Sequence, residues 1–386
     1  MGLLQRHIFK SVLLACAVAV GLFAFVLMVG NAVKDLLGYV VAGQLRLETF
    51  TELVLLLVPF VAAYALPIGV LTGVLLVLGR MSAEHEITAI RAAGRGLGWV
   101  ARPVLVLAAA GVLLGLALNF QFMPWARVVY HTELANAVRA NPLSFIVPRT
   151  FIRAFPDRAL YVGEKQGRTV KDFWLWELDG QGGVRNFIHA ASGTLDYDEA
   201  TDELNLNLVN VRVESGGAKP AADDLAAPVA YGHFGRFPLR LSLKRLFGPM
   251  VVHRKLQWYT FPELMAEWRR LAPPGPGVSA AARQAQAEER MRVQMTIQDK
   301  FTTAFAVFTF ALMGVPLGIK VSRRETSANL GVALGMAMAY YFMTVIIGWL
   351  ESRPALRPDL LMWLPNLIFL AAGLWLFWRT DRVTGG

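Results

Sequence analysis

The hydrophobic residues of this chain are gathered in long runs near both of its ends. A helix needs about 20 apolar residues to cross the bilayer core, which is roughly 30 Å thick. The first run exceeds the roughly 7–15 apolar residues of a secretory signal, so we expect an uncleaved span. The runs predict six transmembrane helices, at Ser11–Val33, Leu53–Leu78, Trp99–Phe122, Phe301–Ile319, Leu330–Leu350 and Leu360–Trp378.

Between the third and fourth runs, apolar and polar side chains alternate. This period of two is typical of strands with one buried face. It occurs in Ala159–Gly163, Phe173–Glu177 and Leu204–Val213, and turn-like sequences follow at Asp179–Gly183 and Tyr197–Asp202. The predicted fold class is therefore an α+β membrane protein, in which two three-helix blocks flank an inserted β sandwich or open barrel.

The β region ends before the fourth span. Pro273–Gly277 contains three prolines and two glycines and breaks any regular element. Ser279–Asp299 is rich in Ala, Gln, Glu and Arg and predicts a helix that leads into the fourth span. The predicted domains are residues 1–124 with a short helix at about 82–94, residues 125–278 as the β domain, and residues 279–386.

Composition and charge agree with a membrane protein. The chain is 55% hydrophobic and 17% charged, whereas soluble domains carry about 25% charged residues. Its net charge of +10 is explained by the Lys and Arg that membrane proteins collect in cytoplasmic loops, so we do not expect nucleic-acid binding. The basic loops place both termini in the cytoplasm and the β domain on the other side of the membrane.

Known catalytic and ligand motifs are missing from the sequence. Gly-Lys never occurs, which excludes a P-loop, and there is no G-x-S-x-G elbow. The six histidines have no metal-ligand spacing, and Cys16 is the single cysteine. We expect no catalytic residue, metal or cofactor, although a site assembled from distant residues stays open.

The loop between the second and third spans predicts a short amphipathic helix. Ser82 can cap its N-terminus, and Glu84 and Glu86 in the first turn complement the helix dipole. Ile87 and Ile90 lie three residues apart and form one apolar face. Such a helix is either a solvated connector or a docking helix that enters a groove on a partner protein.

Three spans contain two glycines four residues apart. Small residues at this spacing let helix backbones approach closely. They predict helix packing, within the chain or with a second subunit, at Gly69 with Gly73, Gly111 with Gly115, and Gly331 with Gly335.

Two lysines stand at the outer ends of spans. Lys34 follows the first span, and Lys300 precedes the fourth. Each is either a structural residue that extends toward the interface or a cation that faces a cavity and contacts a phosphorylated substrate. The residues alone favour the structural alternative.

Four segments together carry a resemblance to a known family. They are Ala83–Gly94, Ala140–Pro142, Gly314–Gly318 and Trp363–Asn366. Their order and spacing resemble the LptF/LptG permeases (also called YjgP/YjgQ), the transmembrane subunits of the ABC transporter that extracts lipopolysaccharide. The resemblance covers the whole chain, but it does not distinguish an LptF from an LptG subunit.

The resemblance implies a fold, partners and a cargo. The insert would be a periplasmic β-jellyroll, and a second LptF/LptG permease would complete a central cavity. The short helix would be a coupling helix that docks on an LptB-type ATPase dimer, so hydrolysis would belong to the partner. Lipopolysaccharide would pass from the inner membrane through the jellyroll to an LptC-type bridge protein.

The resemblance also implies roles for single residues. Glu86 matches the characteristic acid of the coupling helix, with Glu84 beside it, and Lys34 matches a basic position linked to lipopolysaccharide. Lys300 stands where many members carry a basic residue, although Thr296 and Ala304 nearby depart from the family pattern. Two alternatives remain: a permease of another envelope-lipid ABC system, and a non-transporting anchor that displays a β-domain scaffold.

Overall fold

The computed structural model divides the chain into two units. It describes residues 2–30, 36, 37, 40, 47–140, 148, 149, 151–155, 158–178, 184–198, 203–215, 230–242, 255–271, 280–321, 326–353 and 356–383. The helical unit comprises Met1–Lys34, Glu52–Tyr130 and Arg254–Gly386, and the sheet unit comprises Asp35–Thr51 and His131–His253.

The helices follow the order of the apolar runs. The α-helices are α1 Leu3–Met28, α2 Leu47–Ala83, α3 Glu86–Ala92, α4 Leu97–Ala117, α5 Met123–Ala140, α6 Phe261–Arg270, α7 Ala280–Val321, α8 Thr326–Gly348, α9 Pro358–Leu361 and α10 Leu364–Val383. A π-helical turn, Leu118–Phe122, joins α4 to α5, and 3₁₀ turns lie at Leu256–Trp258 and Trp349–Ser352.

The six predicted transmembrane helices are confirmed. Among the described residues, six helical segments are long and apolar enough to cross a membrane, and each overlaps one predicted run. The third predicted span ends at Phe122, but the helical backbone continues beyond it through α5 to Ala140. The predicted helix before the fourth span is also confirmed, since α7 runs without interruption for 42 residues.

Helix α7 forms the centre of the helical unit. It packs against α4 and α10, and most of its apolar segment is buried, whereas α1 and α8 expose most of theirs. Its Ala311 and Val315 join one core cluster with α2 and α4, and its Phe310 joins another with Tyr340 of α8 and Phe369 of α10. Lipid is the solvent that suits the exposed apolar side chains of α1 and α8.

The described residues of the sheet unit form one antiparallel sheet in which consecutive strands are neighbours. The predicted strand segments lie within β2, β3 and β5, and Asp179–Gly183 falls outside the described residues. The strands are β1 Phe151–Phe155, β2 Arg158–Gln166, β3 Thr169–Leu178, β4 Val184–Asp198, β5 Glu203–Ser215 and β6 Ala230–Ser242, in the order β1-β2-β3-β4-β5-β6.

A crease crosses the sheet from β2 to β6. Along it the pairing between strands passes over one residue in each strand, and Asp172 and Asn210 have φ angles of 55° and 54°. In β5 the buried side chains are Leu204, Leu206, Leu208 and then Val211, so the alternation shifts by one residue at this line. The crease consists of Gly163, Asp172, Ala191, Asn210 and Gly235.

The buried side chains stay in one core cluster across the crease, although their alternation shifts by one residue there. Local bulges bend a strand and re-aim its side chains in the same way. The buried residues on both sides of the crease form a single cluster, which includes Val162, Phe173, Leu195 and Leu206. The described strands of the β domain, which was expected to be a sandwich or an open barrel, thus form one sheet with a single core cluster.

Candidate functional site

The short helix predicted after the second span is present as α3. The chain turns at Glu84 and His85, where His85 adopts the left-handed conformation with a φ of 59°. Helix α3 then runs from Glu86 to Ala92, and Gly94, with a φ of 76°, follows its end. Left-handed residues at both ends make α3 a separate element between α2 and α4.

The predicted capping role of Ser82 is wrong. Ser82 lies in the last turn of α2, which continues to Ala83, and His85 occupies the N-cap position of α3. The Ser82 hydroxyl donates a hydrogen bond to the carbonyl oxygen of Ile319 in α7, 2.8 Å away. Ser82 therefore ties α2 to α7.

The apolar face of α3 is confirmed, and it packs against its own chain. Ile87 and Ile90 are only 3% and 7% exposed. Both pack in the core cluster of the helical unit, together with Ile8 of α1 and Leu97 of α4. The two isoleucines hold α3 on its own chain.

The opposite face of α3 and the turn before it remain open to a partner. Glu84, His85, Thr88, Ala89 and Ala92 are exposed, and Glu86 is partly exposed. Small side chains allow a groove to close around a helix, and carboxylates offer acceptors for Arg and Lys.

Asp381 near the end of α10 braces α3 and α4, a contact that the sequence reasoning missed. Its carboxylate accepts a hydrogen bond from the Leu97 amide at the start of α4, 3.3 Å away. Its backbone carbonyl accepts one from the Arg91 guanidinium, 3.2 Å away. Together with the bond from Ser82, these contacts connect the region of α3 to α7 and α10.

Lys300, which was predicted to be a substrate ligand, is buried among backbone carbonyl groups. It is 4% exposed. Its ammonium group donates to the carbonyl oxygens of Asn119, Gln257 and Tyr259 at 2.7, 3.1 and 3.1 Å. Because an ammonium group has three N–H donors, these bonds leave none for a phosphate in this conformation.

Two of the three glycine pairs make the predicted close helix contacts. An ideal Cβ on Gly73 would lie 2.6 Å from the backbone of Cys16, and one on Gly69 would lie 2.6 Å from the backbone of Val20. Helices α1 and α2 therefore touch at these glycines. Likewise, a Cβ on Gly111 or Gly115 would lie 2.8 Å from Val307 or 3.3 Å from Ala304, so that α4 approaches α7.

The other predicted site residues do not take part in these contacts. A Cβ on Gly331 or Gly335 meets no atom within 4 Å among the described residues. For this pair, packing against a second subunit stays a prediction. Lys34 lies outside the described residues, so its role stays a prediction.

Comparison with known proteins identifies the family. The family model described as Lipopolysaccharide export system permease LptF/LptG matches residues 6–379. This chain belongs to the LptF/LptG family. It is 24% identical over 353 residues to the Lipopolysaccharide export system permease protein LptF of Escherichia coli K12, and equally to that of Shigella flexneri, with 90% of this chain and 87% of each relative covered.

Membership in the LptF/LptG family agrees with the architecture. The six helices and the inserted β domain make the chain a multi-pass permease of the inner membrane. As a member of a permease family it is a membrane transporter component rather than an ATPase. The α3 region and the paired glycines are thus features of an LptF/LptG permease.

Proposed function

We propose that this chain is the transmembrane permease subunit of an ABC transporter that extracts lipopolysaccharide from the inner membrane and passes it to a periplasmic bridge. The observation that carries the proposal is the combination of the family match with α3, whose outer face is open and whose inner face is fixed to the helical unit. A helix held in this way can transmit a movement of a docked partner to the spans.

The proposed partners follow from this role. An LptB-type ATPase dimer docks on α3 through Glu84 and Glu86, a second LptF/LptG permease completes the cavity, and an LptC-type protein receives the lipid from the β domain. ATP hydrolysis takes place on the ATPase subunit, so that the chain itself needs no nucleotide site, metal or cofactor.

Contacts between helix ends support the proposal that α3 and both termini lie on the same side of the membrane. Gln5 of α1 donates to the Trp99 carbonyl at 3.3 Å, and Leu97 donates to Asp381 of α10. The starts of α1 and α4 and the end of α10 thus meet near α3. The Lys and Arg bias of the loops favours the cytoplasm for this side, with the β domain in the periplasm.

Reversing both acids of the α3 region tests the docking. We expect Glu84→Lys with Glu86→Lys to weaken ATPase binding, because attraction to the partner's basic residues becomes repulsion. Exposed ion pairs contribute about 0.2–1 kcal/mol each, so reversal of two gives about 2 kcal/mol, or roughly 30-fold weaker binding. Binding of the purified ATPase to the permease in nanodiscs measures this change.

The matched control reverses two acids at the other end of α2. Glu48 and Glu52 are exposed and four residues apart, and Glu48→Lys with Glu52→Lys leaves ATPase binding unchanged. Equal binding by the α3 variant and the wild type would contradict the docking role and favour a membrane anchor. An intact complex that carries a different lipid would favour a permease of another envelope-lipid system.

Lys34 is proposed to contact the anionic headgroup of the cargo. We expect Lys34→Glu to lower crosslinking of lipopolysaccharide to the first span at least about tenfold, because a hydrogen bond between charged groups contributes about 1.5–3 kcal/mol. Photocrosslinking in membranes that contain the assembled complex measures this effect. Lys10→Glu, at an exposed residue of α1, is the control. Unaltered crosslinking in Lys34→Glu would show that Lys34 does not contact the cargo.

A further inference from the structure

The π-helical turn in the third span creates a carbonyl group that needs a donor from elsewhere. In this turn the Met123 amide donates to the Leu118 carbonyl, five residues earlier. The equivalent partner of the Asn119 carbonyl would be residue 124, which is proline and has no N–H. Asn119 is buried, and a buried carbonyl is nearly always paired.

Lys300 supplies that donor from α7. Its ammonium group lies 2.7 Å from the Asn119 carbonyl oxygen, and the Asn119 side-chain amide lies 3.4 Å from the Lys300 carbonyl oxygen. The bonds run in both directions between one residue of the π-helical turn and one residue of α7. They hold the third and fourth spans together at the point where the third span departs from α-helical geometry.

The same ammonium group also holds the segment that precedes α6. Its other two acceptors, the Gln257 and Tyr259 carbonyls, belong to the 3₁₀ turn and the residue after it. The next residue, Thr260, forms a capping box with Glu263 at the start of α6. Lys300 therefore fixes the backbone immediately before a well-capped helix.

Three phenylalanines join the same three segments a second time. Phe120 of the π-helical turn lies with its ring centroid 5.2 Å from that of Phe261 in α6 and 4.9 Å from that of Phe301 in α7. The Lys300 ammonium lies 5.5 Å from the Phe120 centroid, within the range of a cation–π contact. Leu264 and Ile297 pack in the same cluster.

We infer that Lys300 is a positioning residue that joins the π-helical turn of the third span, α7 and the segment before α6 into one joint, and that it does not bind the cargo. The segment before α6 is where the chain re-enters the helical unit after the last strand. A fixed joint there keeps the third span, the fourth span and this return segment in register. Its consequence for transport rests on the proposed function, but the joint itself does not depend on the cargo.

Hydrogen–deuterium exchange of the purified chain in detergent, without lipopolysaccharide or ATPase, tests the joint. Lys300→Met keeps the length of the side chain but removes its three N–H donors. We expect it to raise amide exchange at least about tenfold in residues 118–123 and 256–264. Lys320→Met is the matched control, because Lys320 is an exposed lysine at the C-terminal end of α7, whereas Lys300 lies in the middle of that helix. It leaves exchange in both segments unchanged, and unchanged exchange in Lys300→Met would overturn the inference.

Lysine acetylation of the wild-type chain gives an answer even if Lys300→Met does not fold. We expect Lys300 to stay unmodified under conditions that acetylate Lys320 completely, with or without added lipopolysaccharide. Rapid acetylation of Lys300 that added lipopolysaccharide suppresses would instead show a cargo ligand. Neither measurement requires transport, so a failure of the proposed function would leave both results interpretable.

Discussion

Replacing Gly73 by leucine is expected to separate α1 from α2 and to destabilise the helical unit. The new Cβ would lie 2.6 Å from the backbone of Cys16, and backbone atoms cannot rotate away as a side chain can. Insertion of side-chain atoms into a packed core costs about 1–3 kcal/mol, and more when the backbone must shift. The midpoint of thermal unfolding in detergent measures the loss.

Gly335→Leu is the matched control for this substitution. It has the same chemistry in another span, but its Cβ would meet no atom within 4 Å in the described part of the chain. We expect the isolated Gly335→Leu chain to unfold at the wild-type temperature. Equal midpoints for the two variants would show that α1 and α2 do not touch at Gly73.

Replacing Ile87 and Ile90 together by alanine is expected to release α3 from the helical unit. Each buried Ile→Ala change costs about 2–5 kcal/mol, and a helix of seven residues is not stable in water without such packing. Because α3 then no longer transmits force, we expect ATP-dependent lipid release to fall at least about tenfold. Hydrogen exchange of residues 86–92 rises in the same variant.

Thr88→Ala controls for the substitution itself, because Thr88 is on the exposed face of the same helix. We expect exchange of residues 86–92 in this variant to match that of the wild type. If the Ile87→Ala and Ile90→Ala chain keeps full lipid release, α3 does not couple ATP hydrolysis to transport through its buried face.

The sequence predicted the spans well because their signal is local. A run of apolar residues is sufficient to identify a membrane helix, and each of the six runs overlaps a helix in the described part of the chain. The helix beyond Phe122 escaped prediction because Pro124 and the polar residues from Arg127 onward end the apolar run without ending the helix. For the β domain, the shift from Leu208 to Val211 in the buried alternation was a visible signal of the crease.

The site was less predictable because its contacts join distant residues. The bond from Ser82 reaches Ile319, and those from Lys300 reach residues 41, 43 and 181 positions away. Local sequence suggests a helix cap for Ser82 and a cavity lysine for Lys300. The structure instead joins both side chains to backbone carbonyl groups that are distant in the sequence. Asn119, a polar residue within an apolar run, was the available signal for the joint.

The central claim is that this LptF/LptG permease moves lipopolysaccharide by coupling to a separate ATPase through α3. The most direct test reconstitutes the chain in proteoliposomes with its second permease, the ATPase dimer and the bridge protein, and measures transfer of lipopolysaccharide to that bridge protein. We predict transfer that requires ATP and is lost in the Glu84→Lys and Glu86→Lys variant. Transfer that proceeds equally without ATP, or equally well in that variant, would contradict the account.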